Sequence, residues 1–411
     1  MNVKNMIKKI LPKPILSIVK SSKNHFEKSR ADHYIQKMFH QHCSTDEKIR
    51  VGFIVQMPEI WNKQEQVYQA MLADDRFEPV LIIVPEFDFA KGMIGEYGAE
   101  LDYFVSQCPN KNYIIASKNQ KWTELRNERF EYIFYQRPYD QYLPECYRSS
   151  VLVKYTKICY IPYATHDIKN TQLYPFEFFK NIYFGFMEDE EGAELNNRCF
   201  DHKCHVSFYN IGYPLFEKCL HLSRRCDYKN VLWTPRWSYD KVSGGSHFFE
   251  YEPYLTKFDW KEQSLMIRPH PLMWDNFIKT GKLTANQADK IRERWAEHNI
   301  AVDKNMDIEK TFEHTDILIS DISSIMLMFF LTGKPVIYCI FDVELGSLCN
   351  AIMPGIYMAH NWNDVEKYIR MLQEKNDPLA DVRQKIIQDQ FNKHKNVAEK
   401  IINVIAEDHQ K

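Results

Sequence analysis

The chain has 411 residues and a mass of 49.1 kDa, which at roughly 100 to 200 residues per domain implies two or three domains and excludes a lone small module. Hydrophobic residues at 45% and charged residues at 26% are an ordinary globular composition, and 13 Gly with 18 Pro exclude a collagen-like or linker-dominated chain. Lys+Arg 53 against Asp+Glu 55 leaves a net charge of -2, so no global basic field recruits nucleic acid.

In chain order, residues 1–48 form an N-terminal arm. Its first twenty residues hold Lys4, Lys8, Lys9, Lys13 and Lys20 with no acid, and set Val3, Met6, Ile7, Ile10 and Leu11 at helical spacing. The lysines, Pro12 and Pro14 interrupt any continuous apolar stretch of the kind a signal peptide needs. The arm is expected either to dock on an anionic membrane surface or to pack as a basic tail on its own domain. The strongest apolar run, Ile325 to Leu331, has seven residues, too few to cross a bilayer.

From residue 49 apolar runs alternate with amphipathic stretches. Arg50–Val55, Val80–Val84, Tyr113–Ala116, Tyr132–Tyr135 and Ile158–Ile161 read as strands, with helices at Lys63–Leu72 and Trp122–Arg129. These make a first α/β domain, residues 49–215. A second, residues 216–376, has strands at Val231–Thr234, Leu265–Ile267, Ile317–Ile319 and Val336–Tyr338, with helices at Ala285–His298, Ile308–His314 and Ser323–Leu331. A final helix over 377–411 is expected to start at Asp377 as N-cap, with Pro378 behind it. Strand and helix alternation implies parallel βαβ units, so the fold expected is α/β with two doubly wound Rossmann-like domains facing a cleft.

Ten scattered cysteines lack the density of a disulfide framework and read as reduced thiols of a cytosolic protein. Cys199, His202, Cys204, His205, Cys219, His221 and Cys226 are metal-ligand residue types, but without paired C-x-x-C knuckles they are expected to bind none. Glu188–Glu191 reads as a solvated face.

Chemistry concentrates at two strand ends. Ile317–Ile319 runs into Ser320, Asp321, Ser323 and Ser324, which open an apolar helix; such a start suits phosphate, although plain N-capping produces the same residues. Leu265–Ile267 ends in Arg268-Pro269-His270-Pro271, where Arg offers a fork for phosphate oxygens and His can donate to a phosphoryl oxygen or protonate a leaving group. Two strands of one domain ending in phosphate-compatible groups are a better signal for a phosphate site than either alone. Trp233, Arg236 and Trp237 lie near a third strand end, with Trp233 the better candidate for core packing.

The R-P-H-P run at 268–271, S-D-x-S-S at 320–324, G-K-P-V-I-Y at 333–338, I-G-Y-P at 211–214, T-P-x-W at 234–237 and P-G at 354–355 resemble, in this order, the CDP-glycerol glycerophosphotransferases of teichoic-acid and capsule synthesis. The resemblance covers about residues 205 to 375 well and the first domain in outline. It implies a GT-B-like fold and transfer of a polyol phosphate from a CDP-linked donor to a hydroxyl of a glycan or lipid-linked acceptor, with release of CMP. Arg236, Arg268, His270, Ser320, Asp321, Ser323 and Ser324 would hold the donor, His270 would also act in catalysis, and His166 would be the base. It implies a cytoplasmic enzyme, peripheral at the inner face of the cell membrane, with no tightly bound cofactor and Mg²⁺ on the donor left open. A nucleotide-sugar glycosyltransferase and a catalytically silent binding subunit are the alternatives. Two departures stand out: the family's H-G-T-like motif is replaced by Tyr163-Ala164-Thr165-His166-Asp167, and Arg236 precedes Trp237 where the family places Arg after the Trp. Both are compatible with a shifted donor or acceptor.

Overall fold

The computed structural model describes residues 13–40, 47–85, 87–88, 93–165, 176–202, 204–222, 225–240, 245–305 and 307–411. They divide into two compact units: one built from residues up to Tyr163, the stretch ending at Asn210 and Ala398–Lys411, the other from Ile211–Val397.

The main sheet of unit 1 has seven strands: β1 Ile49–Val55, β2 Phe77–Ile83, β3 Tyr113–Ile115, β4 Tyr132–Tyr135, β5 Lys157–Tyr160, β6 Phe184–Met187 and β7 Phe208–Asn210. They form one parallel sheet in the order β7-β6-β5-β4-β1-β2-β3. The order reverses between β1 and β4, the kind of switch point at which α/β sheets open a crevice. β6 has a weak strand signature because Gly185 interrupts its apolar run; a Cβ there would strike the Phe208 ring of β7. The expected helix over Trp122–Arg129 is absent. Trp122 pairs with Ser117 in a short hairpin, Leu125–Glu128 makes one 3₁₀ turn, and Arg129 in the left-handed region (φ 54°) ends it. Eight residues of helical period are too few to outweigh these local turns.

The N-terminal helix, Lys13–Phe39, belongs to unit 1 and is held there by polar contacts. Lys180 Nζ lies 2.6 Å from the Glu27 carboxylate, and His202 Nδ1 lies 2.6 Å from Asp32. Residues 1–12 lie outside the described residues. Among the described residues no helix is long and apolar enough to cross a membrane.

Unit 2 has β8 Asn230–Thr234, β9 Ser264–Ile267, β10 Ala301–Val302, β11 Ile317–Ser320, β12 Val336–Cys339 and β13 Tyr357–Ala359, parallel throughout in the order β10-β9-β8-β11-β12-β13. The period of two is plain in the packing. Trp233, Ile267, Ile319 and Ile337 enter one core cluster from one face, while Leu232, Leu318 and Tyr338 are buried on the other. Each buried isoleucine contributes on the order of 2 kcal/mol. The switch point falls between β8 and β11.

The C-terminal stretch is two helices, Ala380–Phe391 and Val397–His409, where one had been expected. Asp377 does not cap the first. Its carboxylate accepts from Tyr357 Oη at 2.7 Å and from the fully buried Arg383, which also donates to the carbonyls of Gly333 and Gly355. A buried guanidinium left without that carboxylate would be costly, and this outweighs the cap. The second helix joins unit 1, where buried Asp408 accepts from Lys157, Tyr132 and Tyr183 at 2.7, 2.7 and 2.8 Å.

Candidate donor site at the switch point of unit 2

At the carboxyl ends of β8, β9 and β11, three loops are laced together by hydrogen bonds. Thr234, the last residue of β8, donates its hydroxyl to Ser320 Oγ at 2.8 Å, and Ser320 Oγ donates to the Asp321 carbonyl at 2.7 Å. One residue beyond Pro235, the Arg236 amide donates to the Asp321 carboxylate at 2.8 Å, and the Arg236 guanidinium donates to the Ile322 carbonyl. On the other side the His270 amide donates to the Pro235 carbonyl at 3.2 Å. Arg236 thus stands between the β9 and β11 exits, and among the described residues its Nε is buried without a partner. A cation with an unused donor at a switch point suits an anion.

Asp321 is a hub. Its buried carboxylate takes the Arg236 amide, Ser246 Oγ at 2.6 Å and the His247 amide at 3.4 Å. Burial pushes its carboxyl above the ordinary range, and the hydrogen bonds from Ser246 and Arg236 oppose that rise. The carboxylate is spent on the chain's own loops, so Asp321 shapes the site from beneath. Ser320 is likewise fully buried and committed. Ser323 and Ser324 are only half-buried, and Ser323, although it stands at the N-cap of the helix Ser324–Phe330, makes no capping hydrogen bond. Plain N-capping therefore does not account for this cluster. Among the described residues the Ser323 hydroxyl meets Ser320 Oγ, at 3.4 Å, and is free to bond a ligand as well.

His270 Nδ1 accepts from the Leu272 amide at 3.1 Å, which leaves the proton on Nε2. Partial burial and the nearby Arg236 cation draw its pKa down to about 4. Because solvent still reaches the residue, the direction of that shift, toward a neutral ring at physiological pH, is what matters. A neutral imidazole with its proton on Nε2 offers a hydrogen-bond donor there. Trp237 flanks it with ring centroids 6.4 Å apart.

Arg268 is more constrained than the sequence suggests. Its Nη1 donates to the buried Asp303 carboxylate and to the Asn305 carbonyl at 2.9 Å. Burial alone would raise the Asp303 carboxyl, but the Thr311 hydroxyl and Arg268 hold it below its usual value. Asp303, Ser246 and His247 carried no sequence signal, because their partners lie tens of residues away. Thr234 sat inside T-P-x-W. Trp233 is core, stacked on Phe248. His166 lies outside the described residues.

Among the described residues no group of three or more His, Cys, Asp or Glu is placed to hold a metal. Of the sequence cluster, His205 Nδ1 meets Cys204 Sγ at 3.2 Å and its Nε2 meets the Tyr183 carbonyl at 2.9 Å.

Residues 219–407, which contain every donor-site residue above, match the family model described as CDP-glycerol:poly(glycerophosphate) glycerophosphotransferase. This stretch, a little under half of the chain, resembles that family of transferases. No curated protein matches the chain by sequence. Among solved structures, the chain is similar to a UDP-GlcNAc 2-epimerase from Neisseria meningitidis bound to UDP-GlcNAc, at 13% identity and TM-score 0.56, covering 87% of this chain and 100% of that one. It is also similar to the wall teichoic acid polymerase TagF, H548A, at 13% identity and TM-score 0.53, covering 100% of this chain and 98% of that one. These likenesses establish the GT-B-like α/β fold.

Proposed function

We propose that the protein moves a polyol phosphate, glycerol phosphate or a relative, from a CDP-linked donor to a hydroxyl of a teichoic-acid-like or capsule glycan acceptor and releases CMP. The observation that supports this reading is that the loops carrying Arg236, His270 and Ser323 leave adjacent strand ends at the switch point of the stretch that matches the glycerophosphotransferase model. The acceptor oxygen attacks the polyol-bearing phosphorus, the bond to the bridging oxygen breaks, and CMP leaves as the anion. The protein's part is alignment and charge stabilisation. Arg236 offers charge, His270 Nε2–H and the Ser323 hydroxyl offer neutral donors, and Arg268, held by Asp303, contributes the field of a fixed cation. Asp321 keeps Arg236 in register. His166 is proposed as the base that accepts the hydroxyl proton. Mg²⁺ on the donor would add charge neutralisation. The basic arm is proposed to dock on anionic lipid at the inner face of the membrane, which places the enzyme beside a lipid-linked acceptor.

Purified protein incubated with CDP-glycerol, CDP-ribitol or UDP-sugars, each with glycan acceptors, tests the reading. CMP should appear in step with acceptor consumption; release of UDP with sugar transfer, and no CMP from either CDP-polyol, would overturn it. Deleting residues 1–22 should move the protein from membrane to soluble fractions at low salt, and unchanged partitioning would sink the lipid contact.

A further inference from the structure

At the opposite, amino-terminal edge of the unit 1 sheet, where β1, β4 and β5 begin, lies a cavity of about 840 Å³ lined by charged side chains. Most of those charges are already paired. Arg50 lies 3.1 Å from both Glu78 and Glu128, Glu131 is 2.8 Å from His409, and Lys157 is 2.7 Å from Asp408. Arg126 and Arg129 are different. Both line the cavity, both are exposed, and neither side chain makes an ion pair or hydrogen bond among the described residues. Of the lining acids, Glu47 alone shares that condition. Pairing therefore leaves two guanidinium forks against one carboxylate.

The backbone adds a second observation. Arg129 sits at φ 54°, ψ 37°, immediately after the turn Leu125–Glu128. Glycine or asparagine occupies this left-handed region at lower cost, and the turn sets the Arg129 side chain at the cavity beside Arg126. Two planar forks spaced three residues apart at one cavity match the oxygens of a phosphate group better than a single carboxylate.

We propose that this cavity binds a phosphate-bearing anion, with Arg126 and Arg129 as its two recognition forks. A phosphodiester chain and free inorganic phosphate both present this chemistry, and the experiment below separates them. Only the choice of a polyol-phosphate chain as one probe rests on the function proposed above.

The full-length protein, without any CDP-linked donor, is titrated with a short oligo(glycerol phosphate) and separately with inorganic tripolyphosphate, by calorimetry at two salt concentrations. Binding should weaken as salt rises, and the double variant Arg126→Ala/Arg129→Ala should weaken it about tenfold or more. Arg129→Asn keeps a residue suited to the left-handed turn while removing the charge, so it should bind several-fold more weakly yet melt no lower than the parent. Preference for the oligomer assigns a phosphodiester chain, and tighter binding of tripolyphosphate assigns free phosphate. Absence of binding by either probe, or equal binding by parent and double variant, overturns the site. CMP release from CDP-glycerol is measured in parallel: its absence with anion binding intact breaks the proposed function alone, and the reverse result breaks this site alone.

Discussion

The two units share one sheet topology and treat its switch point in opposite ways. In unit 1 the gap between β1 and β4 is plugged by Gln136, which is buried, accepts from the Gln56 and Met57 amides at 2.6 and 2.9 Å, and donates to the Met57 carbonyl at 3.0 Å. Gln64 closes the same edge by donating to the Tyr135 carbonyl at 2.7 Å. In unit 2 the gap between β8 and β11, among the described residues, leaves Arg236 Nε without a partner and Ser323 without a capping hydrogen bond. A parallel sheet supplies a crevice wherever its order reverses, and side-chain choice then decides whether that crevice is filled or offered. Here one copy is taken up by the chain's own side chains and the other is where the donor site is proposed.

The largest effect should come from the offered side. His270→Ala removes a neutral donor aimed at developing charge, and loss of one such donor typically costs on the order of 100 to 1000-fold in turnover. The variant should stay folded, because His270 is at a loop edge where solvent reaches it. Steady-state CMP release checks this, and a folded, fully active variant would remove His270 from the donor site.

Asp321→Asn tests whether the hub acts through Arg236. An amide in place of one carboxylate oxygen faces the Ser246 and Arg236 donors with a donor of its own, so the Arg236 peptide should shift. Loss of a hydrogen bond to a charged group is worth about 1.5 to 3 kcal/mol, and the KM for the CDP-linked donor should rise about tenfold or more. Ser246→Ala removes one contact and should do the same more weakly. If KM is unchanged while thermal stability drops, Asp321 serves only the fold.

The filled side makes the complementary prediction. Gln136→Ala removes the acceptor of the half-buried Gln56 and Met57 amides, at a cost of about 1 kcal/mol in urea unfolding. The KM for the donor should not move. A raised KM would mean that unit 1 also takes part in donor binding and would break the contrast between the units.

How much of this was readable in advance follows the range over which each interaction acts. Strands such as Tyr132–Tyr135 and Ile317–Ser320 are written in short apolar runs, and so are legible. The Ser320–Ser324 cluster and R-P-H-P lie at strand ends and were legible as candidates for the same reason. What the sequence does not separate is contact from support. Asp321 and Ser323 look alike as members of one motif, yet one is tied to residues 236, 246 and 247 and the other is left over, because the donors that claim Asp321 arrive from distant loops. The same limit hid Asp377, which local pattern made a helix cap and Arg383 made an ion-pair partner. Gln136, the residue that closes unit 1, belongs to no motif at all.

The smallest effect is on pH dependence. In the unfolded chain His270 titrates near its ordinary value of 6.5, whereas in the folded protein partial burial and Arg236 bring it to about 4. As pH falls below 6.5 the unfolded chain takes up this proton first. The stability associated with the neutral ring is therefore complete above about pH 6.5 and is lost progressively as pH falls toward 4. His205 of unit 1, also brought to about 4, chiefly by burial, adds a term of the same sign. His270→Ala should flatten only its own share of the slope between pH 6.5 and 4, read as Tm against pH, and leave the His205 share in place. In catalysis the neutral ring donates throughout that window, so kcat/KM for the CDP-linked donor should show no acid limb near pH 6.5 that His270→Ala removes. An acid limb near 6.5 that disappears in the variant would mean that the ring works as a cation, and the pairing of a charged Arg236 with a neutral His270 would have to be replaced by two cations at the open switch point.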